Sequence, residues 1–298
     1  MKKFLKKGGI LLSALALSAS IFVLPVAAST STLIPTVSTT VKDLSVSSYS
    51  SVPILYQGKA LPFKAKLIGG VSYVPLRAFF NALYPEASVT YNAKTKTATV
   101  NGPSLSLSAS VGSSVLYANG RCFYSASPIV ILSDGSLYLP IRSATASLSL
   151  SLVWQDSPRQ ITLKGTQKPV SDAASFYNSE DLYWLSRIIS AESRGEPLIG
   201  QIAVGNVVLN RVRSKDYPST VKAVVFDRKH GVQFSPIIDG SIYNTPSASA
   251  ITAAKICLEG YTVSEKILFF YAPKVIPTCW ISRNRPYAFT IANHKFYN

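Results

Sequence analysis

An internal duplication between residues 52 and 165 constrains the fold of this 298-residue chain more than any other feature. The segment 73–77 (YVPLR) recurs as 138–142 (YLPIR), and a glycine turn precedes each copy. Further matches follow in the same order: 89–92 (VTYN) with 152–155 (LVWQ), then 99–102 (TVNG) with 162–165 (TLKG). Repeated segments of this kind fold as repeated supersecondary units. Each copy predicts alternating strands, a short helix after the Pro-x-Arg, and then a hairpin.

The 52–165 region resembles the N-terminal domain of copper amine oxidases, a module found on many exported bacterial proteins. The resemblance rests on the two Tyr-x-Pro-x-Arg motifs and on the aromatic hairpin that follows each. The region contains no histidine, so the resemblance implies no copper site. It implies a targeting or spacer module, and a purely structural scaffold is the alternative. Arg77 and Arg142 then either brace the fold or touch a ligand.

Residues 1–28 have the pattern of a secretory signal peptide. Lysines occupy positions 2, 3, 6 and 7, an apolar stretch covers 10–24, and residues 26–28 (VAA) form a small-residue cleavage site. The apolar stretch is shorter than the roughly twenty residues that span a bilayer, so export is predicted, with an uncleaved anchor as the alternative. Residues 29–51 are rich in Ser and Thr and predict a flexible linker.

The charge of the chain favours anionic partners. It is +16 overall, and without the four signal lysines 26 basic residues face 14 acidic ones, which leaves +12. An exported basic protein is expected to be drawn to wall polyanions such as teichoic acids and the carboxylates of peptidoglycan. Nucleic acid is not a predicted partner, because the export signal and the scattered lysines argue against it. The alternative is that the charge only aids solubility.

Three cysteines are too few for a disulfide scaffold. Cys257 and Cys279 either pair, which leaves Cys122 free, or Cys257 is a small buried residue on a helix. The two histidines, His230 and His294, lack the spacing of metal ligands. Neither a metal nor any other cofactor is predicted.

Residues 166–178 predict a second linker, and residues 179–298 predict a mainly helical domain. The predicted helices cover 179–192, 197–212, 220–226 and 246–260, with a loop at 228–246 and short strands at 268–271 and 288–291. Ser179 is the expected N-cap of the first helix. The predicted fold class is therefore α+β, a duplicated strand-rich module followed by a mainly helical domain.

Glu192 is a lone carboxylate on the apolar side of the helix predicted at 179–192. At about 100° per residue it falls between Leu185 and Ile188. A carboxyl held against apolar side chains keeps its proton to higher pH, because the anion is poorly solvated. Such a group suits a general acid for glycosidic cleavage, as in lysozyme. The alternative is a helix-terminal Glu that turns out to solvent.

Several motifs follow one another around and after Glu192. They are AESRGEP at 191–197, GQIAV at 200–204, VLNRV at 208–212, QFSP at 233–236, FYAPKV at 270–275, Trp280, and NHKFY at 293–297. In this order and spacing, residues 180–298 resemble the SleB/CwlJ-type cell wall hydrolase family, best known for lysis of the spore cortex. Ala272 and Ala292 depart from the family pattern, where Asn and Gly are expected.

The resemblance implies a lysozyme-like, mainly helical domain that cleaves peptidoglycan between N-acetylmuramic acid and N-acetylglucosamine. SleB-type members are lytic transglycosylases, which leave a 1,6-anhydro-muramoyl end. The family's catalytic Glu maps onto Glu192, and the Glu192-Ser193 pair also resembles the motif of goose-type lysozymes. The implied protein is secreted, acts in the cell wall or spore envelope, and binds glycan strands. A protein partner in the spore envelope is possible, but the sequence does not identify one.

Other polar and aromatic residues are candidates for the glycan groove. They are Ser193, Phe234, Ser235, Tyr271, Trp280 and His294. Phe234 and Trp280 are alternatively core aromatics, and His294 is alternatively a structural hydrogen-bonding residue. Glu196 is the nearest possible second carboxylate, but its position before Pro197 favours an N-cap role on the next helix.

Two other functions compete with a transglycosylase. A hydrolytic muramidase would use a second carboxylate, Glu196 or Asp239, to activate water. A non-catalytic wall-binding or coat protein would keep the fold without turnover, although the intact Glu192-Ser193 motif argues against it. The muropeptide products distinguish the two enzymes, since hydrolysis leaves a reducing muramic acid end.

Overall fold

The computed structural model describes residues 49–229 and 231–298. The predicted signal peptide (1–28), most of the predicted linker 29–51, and His230 lie outside these residues. In the described part, strands dominate up to residue 164 and helices dominate afterwards, which confirms the predicted α+β class. Every helix within these ranges is too short or too polar to cross a bilayer.

The strand-rich part forms two sheets. Its strands are β1 (Ser50–Tyr56), β2 (Lys59–Ile68), β3 (Val71–Pro75), β4 (Ser88–Asn92), β5 (Thr97–Gly102), β6 (Leu105–Ser110), β7 (Val115–Ala118), β8 (Arg121–Tyr124), β9 (Val130–Ile131), β10 (Leu137–Pro140), β11 (Ser151–Asp156) and β12 (Arg159–Lys164). One sheet has the order β11-β12-β1-β2-β3-β10-β9, and the other has the order β4-β5-β6-β7-β8. The β1–β12 pair is parallel, so the first strand of the module closes onto its last.

The duplication is visible in the structure, as predicted. Helices α1 (Leu76–Leu83) and α2 (Ile141–Ala146) each begin directly after the proline of a Tyr-x-Pro-x-Arg motif. Helix α1 buries one face at i, i+3, i+4 and i+7 spacing: Leu76, Phe79, Phe80 and Leu83. The hairpin after each helix is β4–β5 in the first copy and β11–β12 in the second. Arg77 braces the first copy, since its guanidinium donates to the Val89 carbonyl at 3.0 Å.

The residues predicted as a linker, 166–178, lie along the module. The Lys168 amide donates to the Leu148 carbonyl at 3.0 Å, and the Asn119 side chain donates to the Val170 carbonyl at 2.7 Å. The short helix α3 (Ala173–Phe176) follows. The backbone of residues 168 and 170 is therefore hydrogen-bonded to the module, and these bonds hold the 166–178 segment against it.

The strand-rich module packs directly against the helical part, through apolar residues such as Val115 and Cys122 and through a buried ion pair. The Arg121 guanidinium on β8 binds the Glu259 carboxylate through two hydrogen bonds, of 2.8 and 2.6 Å, and the Tyr177 hydroxyl donates to the same carboxylate at 2.5 Å. The rings of Tyr124 and Tyr261 meet edge to face at 4.6 Å beside this pair. Bidentate Arg–carboxylate pairs fix orientation as well as distance.

The C-terminal part is a helical cluster with a small sheet. Its helices are α4 (Ser179–Ser193), α5 (Leu198–Arg213), α6 (Val221–Val225), α7 (Pro236–Asp239), α8 (Ala248–Leu258) and α9 (Trp280–Asn284), with a 3₁₀ turn at Ser241–Tyr243. Its strands are β13 (Phe269–Tyr271), β14 (Tyr287–Ile291) and β15 (His294–Tyr297), in the order β13-β15-β14. Gly205 lets α4, α5 and α8 approach closely, because a Cβ there would lie 2.7 Å from the Cys257 sulfur and 2.8 Å from Ile189.

Several details differ from the sequence-based expectation. Asn178, not Ser179, caps α4: its side chain accepts from the amides of Glu180 and Asp181, both at 3.0 Å. Asn and Ser are equally good caps, so the sequence did not separate these adjacent positions. The predicted loop 228–246 contains α7 and the 3₁₀ turn, and a third strand, His294–Tyr297, completes the small sheet.

The proposed pairing of Cys257 with Cys279 is wrong. Cys257 is buried on α8, where its thiol lies 3.4 Å from the Ile202 carbonyl, and burial raises its pKa. Cys122, Cys257 and Cys279 are all unpaired in the described chain. The other interpretation, a small buried residue that packs helices, is confirmed.

Candidate active site

A groove of about 1200 Å³ opens on the C-terminal part of the chain. Its walls come from the ends of α4 and α5, the loop 227–235, strand β13, the segment 272–285 that includes α9, and β15. Small-molecule pockets commonly measure about 300–1,000 Å³, so this groove has more room than a typical small-molecule site.

Glu192 lies in the last turn of α4 and faces this groove. Burial, and to a smaller extent the charge of Asp239, raise the pKa of its carboxyl to about 7, although the charge of Arg211 acts to lower that pKa. The pKa increase follows from poor solvation of the anion among apolar neighbours such as Leu185 and Ile188, both fully buried. The carboxyl therefore exchanges its proton near neutral pH, as the helical pattern predicted.

Arg211 is a buried cation in the same groove. Its Nε donates to the Leu268 carbonyl at 2.8 Å, and its guanidinium lies 5.2 Å from the ring of Phe234 and 5.4 Å from that of Phe269. Rings on two sides and a fixed carbonyl hold the guanidinium in place. Its positive charge favours the carboxylate form of Glu192.

Several aromatic residues line the same groove as Glu192. Trp280 is the most exposed of the predicted ones, at 56% of its surface, and Tyr271 is mostly buried against Tyr297, with ring centroids 5.7 Å apart. Phe234 lines the groove but is 3% exposed, so it serves mainly as a core aromatic. Ser235 is exposed at the rim. Exposed aromatic faces beside polar rims are suited to stacking on sugar rings.

Ser193 does not face the groove, contrary to prediction. Its hydroxyl is buried and donates to the Ile189 carbonyl at 2.6 Å, one turn back along α4. Serine in a helix often bonds the i−4 carbonyl in this way. Adjacency to Glu192 in the sequence does not bring Ser193 near it in space, because neighbouring residues project about 100° apart.

Glu196 is not an N-cap and does not line the groove. The N-cap of α5 is Pro197, without a side-chain hydrogen bond. The Glu196 carboxylate instead accepts two hydrogen bonds from Asn293, at 3.1 Å from the backbone amide and 3.0 Å from the side chain. It thus ties the turn between β14 and β15 to the start of α5.

His294 lies beside this contact and also lines the groove. Its Nδ1 is 3.6 Å from the Glu196 carboxylate, and its ring meets Phe270 edge to face at 5.4 Å. Burial lowers the pKa of His294, so the ring is neutral at neutral pH.

Asp239 is the other carboxylate considered in the sequence. It is exposed at the end of α7, and its Oδ1 accepts from the Ser241 amide at 2.8 Å. Hydrogen bonds from Ser241 lower its pKa, so it is charged at neutral pH. Its influence on the pKa of Glu192 indicates that the two carboxyl groups are near each other.

Some groove residues were not predicted from the sequence. They are the charged groups Arg211, Lys215, Asp216, Asp227, Lys229 and Arg285. Arg211 stands within a motif quoted above, but nothing in the helical pattern indicates that its guanidinium reaches Glu192. The others lie on loops, whose course has no periodic signal. In the part of the chain that the structure describes, no three His, Cys, Asp or Glu side chains cluster as metal ligands do.

Comparisons with known proteins agree with this architecture. Residues 195–297 match the Cell Wall Hydrolase family, and residues 56–163 match the Copper amine oxidase N-terminal domain. A spore cortex-lytic enzyme of Bacillus cereus is 35% identical over 133 residues, which cover 45% of this chain and 48% of that protein. The spore cortex-lytic enzyme of Bacillus subtilis is 32% identical over 120 residues, which cover 40% and 38% respectively. The chain thus spans about half the length, or less, of these curated relatives.

One solved structure is similar in sequence to the same region. It is the catalytic domain of the germination-specific lytic transglycosylase SleB from Bacillus anthracis, 34% identical, covering 41% of this chain and 97% of that one, with a TM-score of 0.37.

The protein thus consists of a duplicated strand-rich module packed against a helical domain, and the groove lies on the helical domain. The C-terminal part of the chain is similar to the Cell Wall Hydrolase family, and the strand-rich module before it is similar to the Copper amine oxidase N-terminal domain.

Proposed function

We propose that this protein is an exported enzyme that degrades peptidoglycan, and that it acts as a lytic transglycosylase on the bond between N-acetylmuramic acid and N-acetylglucosamine. The observation that carries the proposal is Glu192, a largely buried carboxyl with a pKa of about 7 that lines a groove of about 1200 Å³. The names of the relatives, spore cortex-lytic enzymes, support the substrate class.

In the proposed reaction Glu192 acts first as an acid and then as a base. Its carboxyl donates a proton to the glycosidic oxygen as the bond from muramoyl C1 to that oxygen breaks. The muramoyl 6-hydroxyl then bonds to C1, and the Glu192 carboxylate takes the hydroxyl proton. No water is consumed, and the acid is regenerated. A pKa near the working pH suits a group that fills both roles.

Arg211 supports the second half of this cycle. After proton donation Glu192 is an anion in a poorly solvated site, which costs free energy. The fixed guanidinium of Arg211 offsets part of that cost, because it does not need to reorient as the charge develops. The exposed Trp280 then provides an apolar face on which a sugar ring can stack.

Hydrolysis by a muramidase is the second candidate, and Asp239 is the observation that favours it. Its charge acts on Glu192, so it is a possible base for an attacking water. Glu196 is a weaker candidate, since both of its carboxylate oxygens accept hydrogen bonds from Asn293. Hydrolysis products would end in reducing muramic acid and be heavier by one water than anhydro products.

Mass spectrometry of released muropeptides tests the proposal. The wild-type protein, Glu192→Gln and the exposed-surface control Glu265→Gln would each be incubated with cortex and vegetative sacculi. Wild type and Glu265→Gln are expected to release anhydro-muropeptides, and Glu192→Gln about 10²–10⁴-fold less. Equal release by Glu192→Gln would remove this residue from the mechanism. Binding without release by wild type would favour the non-catalytic wall-binding protein.

The basic charge and the N-terminal module complete the proposal. The signal-like residues 1–28 would direct export, and the excess of basic residues would hold the protein near anionic wall polymers. The module would act as a targeting or spacer element at the wall or spore envelope.

A further inference from the structure

The imidazole of His294 is a buried polar group in the wall of the groove. His294 begins β15, the central strand of the small sheet, and it lines the same groove as Glu192 although 6% of its surface is exposed. Its ring meets Phe270 edge to face, with ring centroids 5.4 Å apart, and lies 6.3 Å from the ring of Phe296. An imidazole packed beside two aromatic rings on a central strand has little freedom to turn.

The two ring nitrogens of His294 have different surroundings. Nδ1 is shielded from solvent, has no hydrogen-bond partner, and lies 3.6 Å from Oε2 of Glu196, slightly beyond hydrogen-bond distance. Nε2 also makes no hydrogen bond with residues 49–229 or 231–298, but it is not shielded in this way. The two nitrogens point in different directions from the ring, and Glu196 does not line the groove. Nε2 is therefore the nitrogen that faces the groove.

The carboxylate of Glu196 is held in place beside Nδ1. Its oxygens accept hydrogen bonds from the amide and the side chain of Asn293, and 6% of its side chain is exposed. A lone pair on Nδ1 would face the lone pairs of the carboxylate and be repelled, so a proton on Nδ1 that points at Glu196 is the stable arrangement. A neutral imidazole carries a proton on one nitrogen only, which leaves a lone pair on Nε2.

The charge state of His294 agrees with this arrangement. Burial lowers the pKa of the ring, although the charge of Glu196 acts to raise it, and the ring is neutral at neutral pH. With its proton on Nδ1, the neutral ring offers the groove an acceptor and no donor. An enclosed acceptor that lacks a partner costs free energy, and the cost is recovered when a ligand brings a donor.

We propose that Nε2 of His294 accepts a hydrogen bond from an uncharged donor of the glycan strand, and that Glu196 is a positioning residue that keeps Nε2 in its acceptor form. This inference rests on the proposed function, because it assigns one of the contacts that would hold a glycan in the groove. Peptidoglycan sugars carry two kinds of uncharged donor, acetamido N–H groups and hydroxyl groups. A site with an enclosed acceptor rejects a ligand that lacks the donor, because the acceptor is then left unpaired.

The first test measures binding in the Glu192→Gln background, so that no turnover occurs. It compares His294→Phe, which keeps a ring but removes the acceptor, with His294→Gln, whose side-chain oxygen can replace Nε2. Glu265→Gln is the surface control. The ligand is a peptide-free tetrasaccharide of alternating N-acetylglucosamine and N-acetylmuramic acid, titrated by calorimetry. His294→Phe is expected to bind it about tenfold more weakly than the control does, and His294→Gln within about threefold of the control.

A set of tetrasaccharide analogues identifies the donor. In each analogue one acetamido group is replaced by an acetate ester, which has no N–H. If one analogue removes the difference in affinity between His294→Phe and the control, the donor is the acetamido group of that sugar; if the difference survives in every analogue, the donor is a hydroxyl. Equal binding of the parent tetrasaccharide by His294→Phe and the control would overturn the inference. Binding by His294→Gln as weak as that by His294→Phe would also overturn it.

The second test reads the tautomer of His294 directly. The chain has two histidines, so His230→Gln leaves a single imidazole, and long-range proton–nitrogen correlation spectra distinguish Nδ1–H from Nε2–H. We expect Nδ1–H in the His230→Gln protein and after Asn293→Ala, which keeps the Glu196 carboxylate, but loss of this preference after Glu196→Ala. A proton on Nε2 in the His230→Gln protein would overturn the inference even if the other variants failed to fold. An unchanged tautomer in Glu196→Ala would overturn the positioning role of Glu196.

The proposed function is judged separately from this contact. With Glu192 intact, release of anhydro-muropeptides by the wild-type protein tests the enzyme, whereas the tautomer and the tetrasaccharide affinities test His294. Absence of anhydro products, together with weaker binding by His294→Phe, contradicts the function only. Release of anhydro products by the wild type, together with equal binding by His294→Phe and the control, contradicts the contact only.

Discussion

The carboxylate of Glu196 accepts two hydrogen bonds from Asn293, one from its backbone amide at 3.1 Å and one from its side chain at 3.0 Å. This contact joins the start of α5 to the β14–β15 turn, and β15 carries His294 to the groove. The acid nearest in sequence to Glu192 thus has a structural task and is not among the residues that line the groove.

Glu196→Ala is therefore expected to lower stability while leaving the reaction products unchanged. Hydrogen bonds to a charged group contribute about 1.5–3 kcal/mol each, so loss of both bonds should lower the free energy of unfolding by at most about 3–6 kcal/mol. Urea unfolding measures it, and Asn293→Ala is the matched variant. The two effects should be less than additive because the residues share one contact. A large loss of turnover in Glu196→Ala alone, at unchanged stability, would instead make Glu196 catalytic.

Periodicity and repeats predicted much of this fold. The duplicated motif predicted a short helix after each Pro-x-Arg, and α1 and α2 lie there but begin two residues earlier, directly after the proline. The apolar side of α4 predicted the raised pKa of Glu192, since burial on a helix follows from angular position. The same reasoning failed for Ser193, because its hydroxyl had a carbonyl of its own helix to bond.

Contacts between segments distant in sequence were not predictable. The Arg121–Glu259 pair joins residues 138 positions apart, and no local pattern indicates which charges will meet. Arg211 also reaches the groove by tertiary packing, between rings supplied by the 233–236 loop and by β13. Such pairings depend on the complete fold rather than on helical or strand periodicity.

Glu192→Gln is expected to change the pH dependence of stability. The folded state holds the Glu192 proton up to a pKa of about 7, whereas in the unfolded chain the pKa is near 4.5. Because the native state binds the proton more tightly, the stability of the wild type should fall between about pH 4.5 and pH 7, by about 3 kcal/mol at most. Glu192→Gln should lack this fall and be the more stable protein at pH 8.

Urea unfolding of both proteins at pH 4, 6 and 8 checks this expectation, with Glu265→Gln as a control that should follow the wild type. If wild type and Glu192→Gln kept a constant difference from pH 4 to pH 8, Glu192 would have an ordinary pKa. The dry environment inferred for its carboxyl would then be wrong.

Arg211→Met is expected to shift the alkaline limb of the pH–activity profile upward. The guanidinium lowers the pKa of Glu192, so its removal leaves burial and Asp239 to raise that pKa further. Arg211→Lys keeps the charge and should keep the limb near the wild-type position. The measurement is the initial rate of anhydro-muropeptide release from pH 5 to pH 9. If the alkaline limbs of the Arg211→Met and Arg211→Lys profiles coincided, Arg211 would act on the site only through packing and not through its charge.

Glu259→Gln is expected to destabilise the protein strongly. It breaks the bidentate pair with Arg121 and leaves that guanidinium buried, and both side chains are about one-tenth exposed, at 8% and 11%. Loss of one partner of a buried pair costs about 3–5 kcal/mol. The exposed pair of Lys222 with Glu180 is the matched control, and Glu180→Gln should have a much smaller effect. If Glu259→Gln and Glu180→Gln lowered the urea midpoint equally, the stability of the protein would not depend on the Arg121–Glu259 pair.

Trp280→Ala is expected to weaken substrate binding without slowing the chemical step. The indole is more than half exposed at the wall of the groove and lies 6.3 Å from the ring of Phe269, so its outer face is free to stack on a sugar. Loss of one aromatic stacking partner should raise KM about three- to tenfold, while kcat stays near the wild-type value because the indole has no part in the proton transfers. Soluble glycan fragments of defined length allow both constants to be measured. As a control, Tyr91→Ala removes a comparably exposed ring from the module and should change neither KM nor kcat. If Tyr91→Ala raised KM as much as Trp280→Ala, the effect on KM would come from exposed apolar surface in general and not from the groove.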